Sequence, residues 1–140
     1  MFIRVFDSAD TEAVIDLWNR SGLLRPWNDP QLDILRKQAV GAELFLVGVL
    51  DHNVVAAVMG GYDGHRGWMN YLAVDPQCRK SGCGKAIVTA LESRLKAVGC
   101  AKVNLQVRTD NTSVIEFYKR LGYSVDEVTS FGKRLIVDSA

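Results

Sequence analysis

One stretch of this chain leaves little freedom in how it folds: Trp68 to Val107 reads as strand, loop, helix and strand. The first strand, Trp68 to Asp75, is stopped by Pro76. The helix runs from about Gly84 to Val98, with Ile87, Leu91, Leu95 and Val98 on one face and Gly99 as its stop. Lys102 to Val107 is the return strand. Strand, helix and strand in this order form a crossover, which requires two parallel strands with the helix packed on one face. The other elements must be added around that unit.

They read in order along the chain. Phe2 to Phe6 is a short strand, and Asp10 caps a helix whose apolar positions Ala13, Val14, Leu17 and Trp18 share a face, ending near Gly22. Leu23 to Pro30 is a loop, since Pro26 and Pro30 bar regular pairing; Asp29 before Pro30 starts a second helix with Leu32, Leu35 and Ala39 inward. Leu44 to Leu50 and Val54 to Tyr62 are strands joined by the hairpin Asp51-His52-Asn53, and a polar turn, Asp63 to Gly67, enters the crossover. Beyond it, Asn111 caps a last helix with the stripe Val114, Phe117, Tyr118 and Leu121 and with Gly122 at its stop. Tyr123 to Ser130 and Phe131 to Asp138 read as two terminal strands. The sum is an α/β (α+β) fold, a mixed sheet of about seven strands with four helices.

With 140 residues, 48% apolar and 24% charged, the chain has the size and balance of a single domain spanning residues 1–140. Seventeen Lys and Arg meet sixteen Asp and Glu, so no global field draws it to nucleic acid or to a membrane surface. No apolar run approaches the roughly 18 residues of a membrane span, and the apolar start is too short for a secretion signal, which points to the cytoplasm. Cys78, Cys83 and Cys100 form no even framework and, with His52 and His65, match no zinc spacing, so reduced thiols and no metal are expected.

The informative loop is Gln77-Cys78-Arg79-Lys80-Ser81-Gly82-Cys83-Gly84-Lys85, between a strand and a helix start. The first N–H groups of a helix have no intrahelical partner, and the dipole adds about half a positive charge there. Gly82 and Gly84 let backbone approach an anion, and Arg79, Lys80 and Lys85 add three positive charges with no acid among them. A phosphate group suits this loop; the plain alternative is a solvated helix start. It fits neither the P-loop nor the dinucleotide fingerprint, which would need other residues at Arg79, Ala86 and Ile87.

Arg79-Lys80-Ser81-Gly82-Cys83-Gly84, after a strand ending Leu72-Ala73-Val74-Asp75-Pro76, resembles the R/Q-x-x-G-x-G/A motif of the GNAT N-acetyltransferases. Asn111 to Tyr123 resembles that family's N-x-x-A-x-x-x-Y-x-x-x-G-F/Y helix, with Val114 in place of Ala. The resemblance covers nearly the whole chain. It implies acetyl-coenzyme A as co-substrate, its pyrophosphate on Arg79, Lys80, Ser81, Gly82, Cys83, Gly84 and Lys85 and its pantetheine arm beside Leu72, Ala73 and Val74. It also implies a ligand contact at Asn111 and direct transfer of the acetyl group to an amine, with no metal and no covalent enzyme intermediate.

By position Tyr118 matches the family tyrosine that protonates the departing thiolate; on periodicity alone it completes an apolar stripe. Some relatives carry Glu in a Leu-Glu-Val-Arg strand, where this chain has Gln106, so the base must be found elsewhere. Cys78 and Cys83 read as small loop residues rather than as activated thiols. Leu24 to Pro30 and Gly60 to Gly67 resemble stretches shared by the YpeA branch of small bacterial GNAT proteins. They suggest an acceptor pocket of Trp27, Asn28, Asp63 and Arg66 with His65 as catalytic base. The alternatives are a turn whose Asp63 and His65 satisfy backbone, and a Trp27 that anchors the loop by burial.

The acceptor class stays open between a small-molecule amine and a peptide or protein amine, and the oligomeric state stays open with a homodimer among the options. Two rival readings remain: a non-catalytic acetyl-coenzyme A sensor of the same fold, and another phosphate-ligand binding module.

Overall fold

The computed structural model describes residues 1–138. Five strands, β1 (Phe2–Val5), β2 (Phe45–Leu50), β3 (Asn53–Tyr62), β4 (Gly67–Val74) and β5 (Val103–Leu105), form one sheet in the order of the chain. The first three pairings are antiparallel, and β4 pairs with β5 in parallel. Four α-helices accompany them: α1 (Thr11–Arg20), α2 (Pro30–Ala39), α3 (Cys83–Ala97) and α4 (Thr112–Arg120). The crossover from β4 through α3 to β5 is present as the sequence requires.

Both faces of the sheet are covered, which is why β2 and β3 read as continuous apolar runs rather than alternating ones. Leu46, Ala56, Val58 and Met69 pack with Ile87, Val88, Leu91 and Leu95 of α3 and with Tyr118 of α4. Phe45, Val47, Ala57 and Ala73 face the other way, onto Val14, Leu17 and Trp18 of α1 and Ile34 of α2. Gly60 lets α3 settle against β3, because a Cβ there would strike the Leu91 side chain.

Several local expectations need correction. Asp10 is not the side-chain cap of α1: its carboxylate takes two bonds from Arg4, at 2.7 and 2.9 Å, and the Asp7 N–H at 2.9 Å, while Asp7 caps the 3-10 turn that leads into the helix. Asn111 stands at the start of α4 without making a side-chain cap bond. Asp29 does cap α2, accepting from the Gln31 and Leu32 N–H groups. In α2, Ile34 is buried and Leu35 and Ala39 are exposed. The helix is rolled so that Asp33 reaches Tyr71, and that rotation sends Leu35 outward. Ala13 and Val98 are exposed as well.

The largest difference is at the C-terminal end, where neither 123–130 nor 131–138 forms a strand, so the sheet has five strands and not seven. The segment runs beside β5 in step with it, through Lys102–Asp126 and Gln106–Ser130 side-chain bonds. Side chains, not backbone groups, make those contacts. Further on, Arg134 bonds Asn28 and Asp138 bonds Arg36, which draws the chain to α2 and away from the sheet edge.

Candidate active site

The site begins where β4 and β5 part. Their pairing covers only Gly67↔Val103, Trp68↔Asn104 and Met69↔Leu105, whereas β4 continues to Val74. Beyond Met69, the β5 side of β4 lacks a ladder partner, which leaves backbone groups for an extended ligand to satisfy. β4 also bulges here. From Met59 to Ala57 is two residues, while the facing stretch from Asn70 to Ala73 is three, and Tyr71 takes up the surplus with φ +54°.

Below the fork lies the loop. Asp75 closes the end of β4 by accepting from the Gln77 N–H at 3.0 Å and pairing with Arg20 at 2.7 Å. A 3-10 turn, Pro76–Ser81, leads to Gly82, whose φ of +79° turns the chain into α3. At that φ a side chain is strained although nothing fills the space around it. Gly84 serves packing instead: a Cβ there would lie 3.1 Å from the Phe117 ring. Arg79, Lys80, Ser81, Gly82 and Lys85 are exposed and Cys83 is buried. Arg79 also donates through Nε to the Val74 carbonyl at 3.2 Å, which ties the cationic loop to the strand end. All three cysteines are free, and burial with Cys83 alongside pushes the Cys78 thiol up, away from thiolate character.

Tyr118 stands at the fork. It is 7% exposed, its ring meets Phe117 and Tyr123 edge-on, and its hydroxyl lies 3.8 Å from the Met69 sulfur. Met69 belongs to the last paired rung of β4 and β5. Burial pushes the phenol up, so it keeps its proton, and a thioether sulfur is a weak partner that a stronger acceptor can replace. A cleft of about 920 Å³, lined by Val103–Arg108, Tyr118, Tyr123–Asp126 and Val128–Ser130, opens along β5.

The loop between α1 and α2 forms a lip at Arg108, a residue that lines this cleft. Trp27 is 47% exposed, which excludes a buried anchor, and the Arg108 guanidinium lies 5.6 Å from its ring centre. Asn28 accepts from Arg134 at 2.8 Å. Tyr71 stacks on Trp18 at 4.0 Å and donates to Asp33 at 2.7 Å; burial and that carboxylate push its phenol up. Tyr71, Asp33, Arg36, Arg108 and Asp138 went unnoticed in the sequence. The Asp33–Arg36 spacing of one helical turn was the only available signal, since the Tyr71 backbone conformation has no sequence signature.

The turn from Asp63 to Arg66 does not join this group. Asp63 accepts from the His65 and Arg66 N–H groups, both at 2.7 Å, which hold its carboxyl below the usual range, and Arg66 bonds the His65 carbonyl. The turn precedes Gly67, four residues from Tyr71, which at about 3.3 Å per residue sets it roughly 13 Å along the strand from the Asp33 contact. Gln106 donates to the Ser130 hydroxyl. Asn111 is exposed, with the Ser113 hydroxyl 3.4 Å from its Oδ1. Among the described residues no group of three or more His, Cys, Asp or Glu could hold a metal ion, and no helix is long and apolar enough to cross a membrane.

A parallel fork above a glycine-turned helix start is the arrangement that the two sequence motifs imply, and the family comparison agrees. The acetyltransferase (GNAT) family profile matches residues 11–123. The chain belongs to that family. Along nearly its full length this family member is 51% identical to an acetyltransferase of Yersinia enterocolitica, over 99% of this chain and 98% of that one. Among solved structures it is similar to Ard1 from Thermoplasma volcanium, with 31% identity and a TM-score of 0.81 over 89% of this chain and 83% of that one. The ribosomal-protein-S18-alanine N-acetyltransferase of Escherichia coli shares the fold, with 23% identity and a TM-score of 0.73 over 86% and 76%. This GNAT protein is therefore an N-acetyltransferase that acts on an amine, and the family implies acetyl-coenzyme A as the donor.

Proposed function

We propose that the fork between β4 and β5 takes the acetyl-pantetheine end of the donor and that the acceptor amine arrives from the α1–α2 side. The Tyr118 hydroxyl at the last paired rung carries this reading, because it puts a protonated phenol where the strands part. The donor's phosphates suit the backbone of Ser81 to Lys85 and the Arg79, Lys80 and Lys85 side chains, with Asn111 at the start of α4 as a further contact. Leu72, Ala73 and Val74 offer the strand edge for its amides. Acetyl-coenzyme A supplies an activated acyl group on a good leaving sulfur. Tyr118 then gives its proton to that sulfur. On the opposite face the Tyr71 hydroxyl relays the amine proton to Asp33, which takes the place left by Gln106.

Trp27 and Asn28 wall the acceptor side, and Asp63, His65 and Arg66 stand outside it. The Leu24–Pro30 and Gly60–Gly67 stretches support placement in the YpeA branch, and three free cysteines suit the cytoplasm. Calorimetry on Gly82→Asp tests the loop. Added bulk and negative charge together should weaken coenzyme A at least tenfold; unchanged affinity removes the loop from the site. Thiol release across an amine panel tests transfer, and coenzyme binding with no release would favour the sensor reading.

A further inference from the structure

The C-terminal segment places a carboxylate beside the acceptor lip. Arg36 donates twice to Asp138, at 3.1 and 2.7 Å, the Asp29 N–H adds a third bond at 3.3 Å, and the Asp138 side chain is left 1% exposed. A planar guanidinium fork plus a backbone N–H at a helix start is a carboxylate seat. The seat continues into the acceptor side. Arg36 lies 3.5 Å from one oxygen of Asp33, whose other oxygen takes the Tyr71 hydroxyl at the β4 bulge. Cation, anion and phenol thus stand in a row toward the fork, with Arg36 and Asp33 one helical turn apart, roughly 5–6 Å between their Cβ atoms.

We propose that the acceptor is an amine that also carries a carboxylate, an amino acid, with its carboxylate on Arg36 and the Asp29 N–H and its ammonium beside Asp33, and that Asp138 occupies the seat until the acceptor displaces it. This rests on the reading that the acceptor arrives from the α1–α2 side. The opposed charges of Arg36 and Asp33 match a zwitterion end to end. The occupant is displaceable: Phe131, Leu135, Ile136 and Val137 are 66–93% exposed, so polar contacts with Asn28, Asp29 and Arg36 are what hold this part of the chain. The Arg36 side chain is 48% exposed, so water and a competing carboxylate reach the guanidinium even while Asp138 is covered, and screening keeps the pair weak. In the transfer, the bound ammonium first gives one proton through Tyr71 to Asp33, and the neutral amine nitrogen then bonds the acetyl carbon. The C–S bond breaks and the sulfur takes the Tyr118 proton; the second nitrogen proton passes to water, from which the Tyr118 phenolate is reprotonated, so the products are an N-acetylamino acid, coenzyme A and the one proton that Asp33 releases.

The test compares L-alanine, L-glutamate and 4-aminobutyrate with the same compounds amidated at their carboxyl groups. The free acids should be preferred at least tenfold in kcat/KM, through KM rather than kcat. Arg36→Gln should bring that ratio near one, and Asp138→Asn should lower KM for the acids at least threefold and more than for the amides. A ratio near one in the natural enzyme, or one that Arg36→Gln leaves intact, overturns the proposal. Calorimetry of N-acetyl-L-glutamate and its diamide on the coenzyme A complex reads the seat without turnover. It should show the same preference, lost in Arg36→Gln and strengthened in Asp138→Asn; equal affinities overturn the seat. Calorimetric preference with no thiol release from any amine would instead keep the seat and overturn its role for an acceptor, which is how failure of the transfer reading would look.

Discussion

Tyr118 satisfies two demands that look alike in the sequence. Its ring completes the stripe that packs α4 on the core, and its hydroxyl reaches the rung where β4 and β5 part. Tyr118→Phe separates the two, since it keeps the ring and gives up only a weak contact to sulfur. Turnover should fall about 100-fold while thermal stability stays within roughly 0.5 kcal/mol of the parent. Equal turnover with a lower melting temperature would leave only the packing role. The two loop glycines divide in a similar way. Gly82 is needed for its left-handed φ in open space, Gly84 for the closeness of the Phe117 ring. Gly82→Ala should therefore cost about 1–2 kcal/mol in denaturant unfolding through backbone strain alone. The motif was legible as glycines; the reason for each was not, because one is a torsion and the other a contact between elements distant in the chain.

At the scale of elements, the β1–α1 corner shows what local signals can and cannot supply. An acid before a helix reads as a cap, yet the Asp10 carboxylate is taken by Arg4 on β1, a partner no helix rule includes. The Arg4 bond holds the Asp10 carboxyl below the usual range. A depressed folded value means that the stabilisation is complete above the unfolded value of about 4 and is lost as pH falls through the lower, folded one. Asp10→Asn should thus destabilise by about 1 kcal/mol at pH 7, a modest figure because Arg4 is 37% exposed to screening water. The gap between parent and variant should hold to about pH 5 and close below about pH 4. A gap that stayed constant through pH 3 would assign Asp10 a role apart from its charge. The crossover, by contrast, was fully legible, since its pattern and its connection rule agree. The inward face of α2 was not: Ile34 and Leu35 are adjacent apolar residues, and the Asp33–Tyr71 bond chooses between them.

At the scale of the whole molecule, the C-terminal segment is the part whose sequence pattern and structure differ. Val125, Val128, Phe131, Leu135, Ile136 and Val137 read as strand residues, but all are 66–93% exposed, and polar side chains tie the segment to β5 and α2. Strand propensity reports a preference for a half-buried pleated surface, and here the described chain offers no such surface beyond β5. A segment that buries none of its large apolar side chains adds little to the core free energy, which scales with apolar area removed from water. Removing everything after Ser130 should therefore shift the melting temperature by no more than about 3 °C, the equivalent of roughly 1 kcal/mol for a chain of this size. Acceptor kinetics should respond more strongly than stability, because Asn28 and Arg36 then lose the side chains that cover them. Calorimetric unfolding of the shortened protein beside the parent decides the matter: a loss of 10 °C or more would mean that the apolar side chains of this segment are buried in solution, against the sheet or against a second copy of the chain.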